Sequence, residues 1–518
     1  MTADDIPLGD LPLIETDVLV VGAGPTGLMA GLVLARRGLR AEVIDAKAGP
    51  TRESRAIVVQ ARSMEIYDQL GLAEQVLEGA NPALGLQLRS STDRGAVDFA
   101  RVQAGWTSYP GVQIFEQSRT EQMLSSALAA EGRPVRWGHE LAALREGADE
   151  ADEGVDARVV GPDGSSRIRA RWCIGADGAS STVRHLLGLP FKGVTDDATF
   201  CVADLHGVTG MPDDRLSARF GEESFAIFFP LGPGGHARLI CLSPTDSPDR
   251  EEVLAAARAD LGLTWTSVDW FSAYRVHHRI APRFRKGPTF LAGDAAHVHS
   301  PLGGQGMNTG LQDSHHLANL LADVASGHLA SAALEGYERE RMPIARKLID
   351  VTDRAFGLIA RPGRGLALLR RRVSGAFAGL APALLASPMG RRLGGLLGQY
   401  RIRYRVVPKG QRPPRWAVDP AVGLRLPPTA DNRDALRSLG WQLHTYGHGD
   451  GAVRPIVPEW VEGPFAFGAD ARGRLRSDRL YLVRPDGFVA ASFPLHARAT
   501  ARFDIDSALA ALGHRRAA

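Results

Sequence analysis

The sequence predicts an α/β protein: a doubly wound, largely parallel sheet, a mostly antiparallel β-sheet inserted into it, and a further α/β unit at the C-terminus. Three observations carry this expectation. An apolar run, a glycine turn and an apolar helical pattern near the N-terminus form a βαβ opening. Strand-like segments separated by glycine and proline turns fill Leu186 to Lys286, after which helical periodicity returns. The proline cluster Arg412-Pro-Pro-Arg415 marks a linker late in a chain of 518 residues, more than one hydrophobic core usually organises.

Taken in order, Asp17–Val21 reads as a strand, Pro25 to Arg37 as a helix and Ala41–Asp45 as a second strand. Leu, Ile and Met at helical spacing predict helices from Ala61 to Leu70, ending at Gly71, and from Thr120 to Ala130, ending near Gly132, with strands and loops between. Arg136 to Ile174 alternates like a β-meander. The inserted sheet holds one helix near Glu251 to Leu261. Pro288–Gly293 is a buried strand leading through a loop to a long helix, Thr309 to Ala325, and residues 335–405 are strongly helical. These elements divide the chain into a discontinuous first domain (12–75, 112–186 and 286–345), an inserted domain (76–111 and 187–285), a helical segment (346–404) and a last unit (405–518).

Composition excludes several classes. The 61 basic and 58 acidic residues leave a net charge of +3 with no basic tract, so nucleic acid is not an expected partner. Cys173, Cys201 and Cys241 are odd in number and far apart in sequence, which predicts neither disulfides nor a Cys-rich zinc site and suits a reducing cytoplasm. Met1 to Glu15 lacks the basic and apolar regions of a secretory signal. Ser374 to Gly390 is apolar but shorter than the ~20 residues of a spanning helix and contains Pro382 and Pro388. It reads as a buried or interfacial helix, so no stable membrane insertion is expected.

Gly22-Ala-Gly24-Pro-Thr-Gly27 follows a strand and opens a helix, and Asp45 ends the next strand. This is the dinucleotide fingerprint in its Rossmann-like context. Gly22 allows the tight turn, Gly24 lets backbone approach a pyrophosphate, Gly27 packs helix on strand, and the helix N-terminus attracts phosphate. Asp45 is placed to accept from ribose hydroxyls. The fingerprint by itself does not separate FAD from NAD.

Two further motifs follow: Gly175-Ala-Asp-Gly-Ala-Ser-Ser-Thr-Val-Arg184, and Gly293-Asp-Ala-Ala-His297 continued by Pro301-Leu-Gly-Gly-Gln-Gly-Met-Asn308. In this order, with the fingerprint, they resemble the FAD-dependent aromatic hydroxylases of the p-hydroxybenzoate hydroxylase type. The resemblance implies FAD contacts at Asp177, Gly293 and Asp294, and a loop beside the flavin ring at Pro301, Gly303, Gly304, Gly306, Met307 and Asn308. Weaker matches imply further contacts at Arg55, in Ser54-Arg55-Ala56, and at Gln117. The tail resembles the thioredoxin-like C-terminal domain of larger members through Gly423–Pro427 and Leu482–Val489. It holds no cysteine, which excludes thiol redox chemistry and leaves packing or dimer contact. Monomer and homodimer both stay open.

The residue chemistry agrees. A carboxylate such as Asp294, ending a buried strand, is where an α/β sheet presents an acceptor to a ligand. A glycine-rich loop before a helix offers N–H groups to an anionic reduced flavin, and Pro301, lacking an N–H, can direct its carbonyl toward the ring. Asp177 reads equally as a helix-capping carboxylate. His297 and His299 invite a metal reading, but they fall where the flavin loop is expected and no supporting carboxylate is evident, so no metal is expected. His315 and His316 read as packing residues.

As the resemblance implies, NADPH or NADH reduces FAD, O₂ adds at flavin C4a, and the hydroperoxide delivers one oxygen to an aromatic small molecule, phenolic or polycyclic. No second dinucleotide fingerprint is present, which suits a transient reductant. No catalytic side chain is assigned beyond the flavin loop residues Pro301, Gly304 and Gly306. Trp106, Tyr109, Phe225, Phe228 and Phe229 are the candidates for the substrate pocket, each with plain core packing as the competing role. Baeyer–Villiger, epoxidising or rearranging chemistry on the same flavin, and a non-catalytic flavin-binding protein, are the alternatives. A halogenase is disfavoured because the WxWxIP motif is absent.

Overall fold

The computed structural model describes residues 8–51, 56–89, 94–147, 154–220, 225–243, 248–299, 304–360, 387, 394–395, 398–407, 410, 412–447, 457–495 and 507–512. Arg55, Pro301 and Gly303, the side chain of Phe225, and the apolar stretch at 374–390 apart from Ser387, lie outside this description.

The first sheet is built on Leu13–Val21, whose inner half is wholly buried. Five strands run parallel in the order Thr289–Leu291, Gly164–Gly175, Leu13–Val21, Ala41–Asp45, Arg136–Trp137. Apolar residues continue on both faces, as expected of a parallel sheet covered by helices. Pro25–Arg36 and Gly306–Ala325 bury most of their lengths in the same core. The expected meander is present: Glu140–Glu146 and Val155–Gly161 form an antiparallel ribbon that returns through Gly164–Gly175.

The inserted sheet draws strands from both sides of the first domain. Its order is His297–Val298, Ser267–Ile280, Lys192–His206, His236–Leu242, Phe225–Gly232, Arg215–Phe220, Gly85–Arg89, Arg94–Asp98. All neighbours are antiparallel except Arg215–Phe220 with Gly85–Arg89. Arg250–Leu261 covers one face, capped by Asp249, whose carboxylate accepts from the Glu251 and Glu252 amides.

The C-terminal unit holds four strands in the order Val461–Phe467, Trp441–Tyr446, Arg479–Val483, Val489–Pro494, the first pair parallel and the others antiparallel. Buried charges join it to the first domain. Arg484 pairs with Glu340 at 2.8 Å and Asp486 at 2.5 Å, and Asp486 meets His316 at 2.8 Å. Asp323 accepts from Arg37 at 2.6 Å and from the Trp441 indole at 2.8 Å. His316 is thus a polar junction rather than a plain packing residue, whereas His315 is buried against the Gln69 side chain.

The three cysteines are free and buried. Cys201 and Cys241 stand directly opposite each other on neighbouring strands, a proximity their sequence spacing does not reveal. Burial pushes their thiols up to about 11 and about 12, and that of Cys173 higher still. No helix among the described residues is long and apolar enough to cross a membrane.

Candidate active site

Three parallel strands, Leu13–Val21, Gly164–Gly175 and Thr289–Leu291, end at the floor of one cavity of about 620 Å³. Each runs into one of the three motifs, so the carboxyl ends of the sheet gather them, as the α/β rule requires.

The first turn is sterically specified. Gly22 adopts φ +102°, and a Cβ there would lie 2.4 Å from the Ala176 carbonyl oxygen; at Gly27 it would lie 1.8 Å from the Gly22 carbonyl oxygen. At Gly24 a Cβ would meet nothing within 4 Å, because that position faces the cavity. Gly24 caps the helix Pro25–Arg36 without a side-chain cap, which turns a bare helix N-terminus toward the cavity. Asp45 sits beside this turn, accepting from the Ala23 amide at 2.6 Å and the Lys47 amide at 2.8 Å. Each oxygen keeps a second lone pair for a ribose hydroxyl.

Asp294 opens onto the cavity wall. Burial in the surrounding protein pushes its carboxyl up, and nearby Asp313 adds to this, while His297 opposes it. Behind it lies a closed network. Asp313, on the helix Gly306–Ala325, accepts from His297 Nε2 at 2.7 Å, from the Gly293 amide at 3.2 Å and from Arg341 Nε at 2.6 Å. His297 is therefore a hydrogen-bond partner that fixes the turn, and the carboxylate beside it, not evident from spacing, is Asp313. His299 lines the cavity.

The long helix starts at Gly306, three residues earlier than its periodicity suggests, so Gly304, Gln305, Gly306 and Met307 meet the cavity at its N-terminus. Gly304 holds φ +63° against Val58. Asn308 turns away and is fully buried. Its Oδ1 accepts from the Gln60 amide at 2.8 Å and Ser63 Oγ at 2.7 Å, and its Nδ2 donates to the carbonyls of Val58 at 2.8 Å and Gly304 at 2.7 Å. All four valences of the amide are used, so Asn308 pins the loop and has none left for a ligand.

Asp177 is also placed behind the wall. Its carboxylate accepts from Ser181 Oγ at 2.5 Å and the Val183 amide at 3.0 Å, the capping role. Arg184 then donates to the carbonyls of Ala295 and Ala179, joining the second motif to the third. Gln117 lines the cavity, with its Nε2 donating to Glu121 at 2.9 Å.

Of the described substrate candidates, Phe229 alone lines the cavity. Phe228 points to the other face of the strand, into the core under Arg250–Leu261. Trp106 and Tyr109 lie under the C-terminal unit: Arg401 stacks over the Trp106 ring at 4.2 Å, and Arg433 donates to the Tyr109 hydroxyl at 2.6 Å. The inserted-sheet side of the cavity is instead made by Ile240, Tyr274, Arg275, Val276 and His277, in strands whose alternation was legible but whose facing was not.

The cradle fits FAD: an uncapped helix N-terminus beside a glycine whose Cβ would project into open cavity, an acidic strand end, and a second helix N-terminus across the space. Comparison with known proteins agrees. The family described as FAD binding domain matches residues 15–352. The 12-dehydrotetracycline 5-monooxygenase/anhydrotetracycline 6-monooxygenase of Streptomyces rimosus is 33% identical over 515 residues, 91% of this chain and 94% of that enzyme. The 6-methylpretetramide 4-monooxygenase of Streptomyces rimosus is 36% identical over 358 residues, and that match spans 66% of this chain but only 62% of that enzyme. Among solved structures, the anhydrotetracycline hydroxylase OxyS of Streptomyces rimosus superposes with a TM-score of 0.74 at 28% identity, covering 97% of this chain and all of that one. The match over residues 15–352, with near full-length likeness to such an enzyme, shows that this chain belongs to the FAD binding domain family to which the aromatic flavoprotein monooxygenases belong.

Proposed function

We propose that the protein is an FAD-dependent, NAD(P)H-consuming monooxygenase that hydroxylates a phenolic or polycyclic, polyketide-like aromatic molecule. The observation that carries this reading is one cavity shared between the dinucleotide turn, Asp294 and Gly304–Met307 on one side, and the inserted sheet on the other. Bound there, FAD supplies O₂ activation and transfer of one oxygen atom, chemistry no protein side chain offers.

The chain's own residues bind, orient and exclude water. Gly22, Gly24 and Gly27 would admit the pyrophosphate, Asp45 would hold ribose, and Asp294 would accept from the polyol chain. The N-terminus of Gly306–Ala325 stabilises negative charge arising beside it. Phe229, Ile240 and Val276 form an apolar wall that keeps water from the reacting centre. Tyr274 and His277 are among the polar groups on the cavity wall that can hydrogen-bond a substrate hydroxyl. The C-terminal unit, thioredoxin-like by resemblance, acts through packing over Trp106 and Tyr109, and three free thiols suit a cytoplasmic setting.

The test is to purify the protein, record its visible spectrum, and follow NADPH and NADH oxidation in air with phenols, quinones and polycyclic aromatics while quantifying H₂O₂ and products. A yellow protein whose oxidation of NAD(P)H is stimulated by one compound without matching H₂O₂, giving a product heavier by one oxygen on the ring, supports the reading. A ring-expanded lactone or an epoxide redirects the chemistry. A protein that cannot be loaded with FAD refutes it.

A further inference from the structure

Three adjacent strands of the inserted sheet bring His206, His236 and Asp269 together. His206 ends Lys192–His206, His236 begins His236–Leu242, and Asp269 sits at an irregularity in Ser267–Ile280. Leu205 lies opposite both Ala237 and Val268, which places the three residues side by side at one end of the sheet. One donor atom from each lies within 4.8 Å of the other two. His206 Nε2 meets Asp269 Oδ2 at 2.6 Å, and the two imidazoles stack at 4.2 Å between centroids with planes 9° apart.

We propose that these residues form a binding site for a divalent transition-metal ion of the zinc type, with two imidazole nitrogens, one carboxylate oxygen and solvent completing the shell. Zinc bonds of about 2.0–2.2 Å hold tetrahedral donors roughly 3.3 Å apart, so closure requires the donors to draw together by on the order of 1 Å and one imidazole to turn out of the parallel stack so that both nitrogens point at the ion. The side chains can make them: that of His206 is 40% exposed and that of Asp269 57% exposed, which also leaves the ion a path from solvent. Imidazole donors select zinc, copper or nickel over magnesium and calcium. The ion replaces the contact between His206 Nε2 and Asp269 Oδ2, and any proton it displaces goes to solvent. The surrounding charges are already matched: Arg238 pairs with Asp204 at 2.6 Å and reaches Glu116 at 3.6 Å. Glu116 precedes the helix Gln117–Ala130, whose Gln117 lines the flavin cavity, so a bound ion braces strands that continue to that wall. Residues separated by 30 and 33 positions carry no ligand-spacing motif, which is why the sequence alone predicts no metal.

The experiment uses tag-free, FAD-loaded full chain freed of metal by chelation, titrated with Zn²⁺ against a chromophoric chelator. Wild type is expected to take up one equivalent that the double variant H206A/H236A does not, with affinity in D269N lowered about tenfold or more, taking the effect of lost metal-site partners as the guide. Zn²⁺ should raise the melting temperature of wild type and not of the double variant, and an unchanged flavin spectrum shows that both are folded. Equal uptake by wild type and the double variant, or no uptake by wild type, overturns the proposal.

Discussion

Replacing Asp313 with Asn tests whether the third motif is held by charge. The carboxylate is buried, with Arg341 on one oxygen and His297 and the Gly293 amide on the other. Burial by itself would push its carboxyl up, but the Arg341 and His297 charges outweigh this and hold it down at about 2. A carboxyl moved from 3.8 to about 2 corresponds to roughly 2 kcal/mol of folding free energy. Because the folded value is depressed, that stabilisation is full above the unfolded value and is lost as pH falls through about 2. Asn keeps the shape but turns an N–H toward a donor and leaves the buried Arg341 without a counter-ion, so the whole loss at pH 7 should reach about 3–5 kcal/mol. That is a large share of the roughly 5–15 kcal/mol typical of native stability. Urea unfolding of the FAD-loaded protein, with flavin fluorescence for FAD affinity, measures both effects. The part of the gap between wild type and Asp313→Asn that comes from the carboxylate should shrink as pH falls below about 4. A variant within about 0.5 kcal/mol of wild type, with unchanged FAD affinity, would refute the claim that Asp313 anchors the turn.

Five further substitutions separate binding from packing. Gly24→Ala should fold normally yet lose FAD affinity, since its Cβ enters open cavity, whereas Gly27→Ala should lose stability as well, since its Cβ meets the Gly22 carbonyl; melting curves with and without FAD distinguish them. Phe228→Ala should cost about 3–5 kcal/mol as a core truncation, while Phe229→Ala should alter KM and coupling to product with a smaller loss, read from unfolding and steady-state oxidation. Asn308→Asp should cost about 1–3 kcal/mol for each of two donor bonds lost to backbone carbonyls, visible as a lowered melting temperature and faster FAD release.

The parts legible in sequence were those set by local chain chemistry. The glycine turn needs its residues whatever surrounds it, so Gly22 and Gly27 could be placed before any fold was known. Facing is a different matter: Phe228 and Phe229 are equally apolar, and only the packing of Arg250–Leu261 on one face decides which of them meets the cavity. Trp106 and Tyr109 have pocket chemistry but are covered by arginines from residues 401–474, more than 290 positions away in the chain. Asn308 and Asp177 belong to motifs that build the site, yet their polar atoms are spent on backbone groups and serine hydroxyls, a distinction that appears once hydrogen-bond partners can be counted.

The burial of the three thiols bears on how long such a catalyst survives. An oxygenase that turns over without substrate releases H₂O₂ into its own cavity, and peroxide attacks thiolates first. With thiols pushed to about 11 or higher and shielded from solvent, Cys173, Cys201 and Cys241 offer almost no thiolate at neutral pH. The sulfur within reach on the cavity wall is the thioether of Met307, whose oxidation is slower and reversible by reductases. Wear from futile turnover should accordingly register as a mass gain of one oxygen on that methionine while the cysteines remain titratable after denaturation.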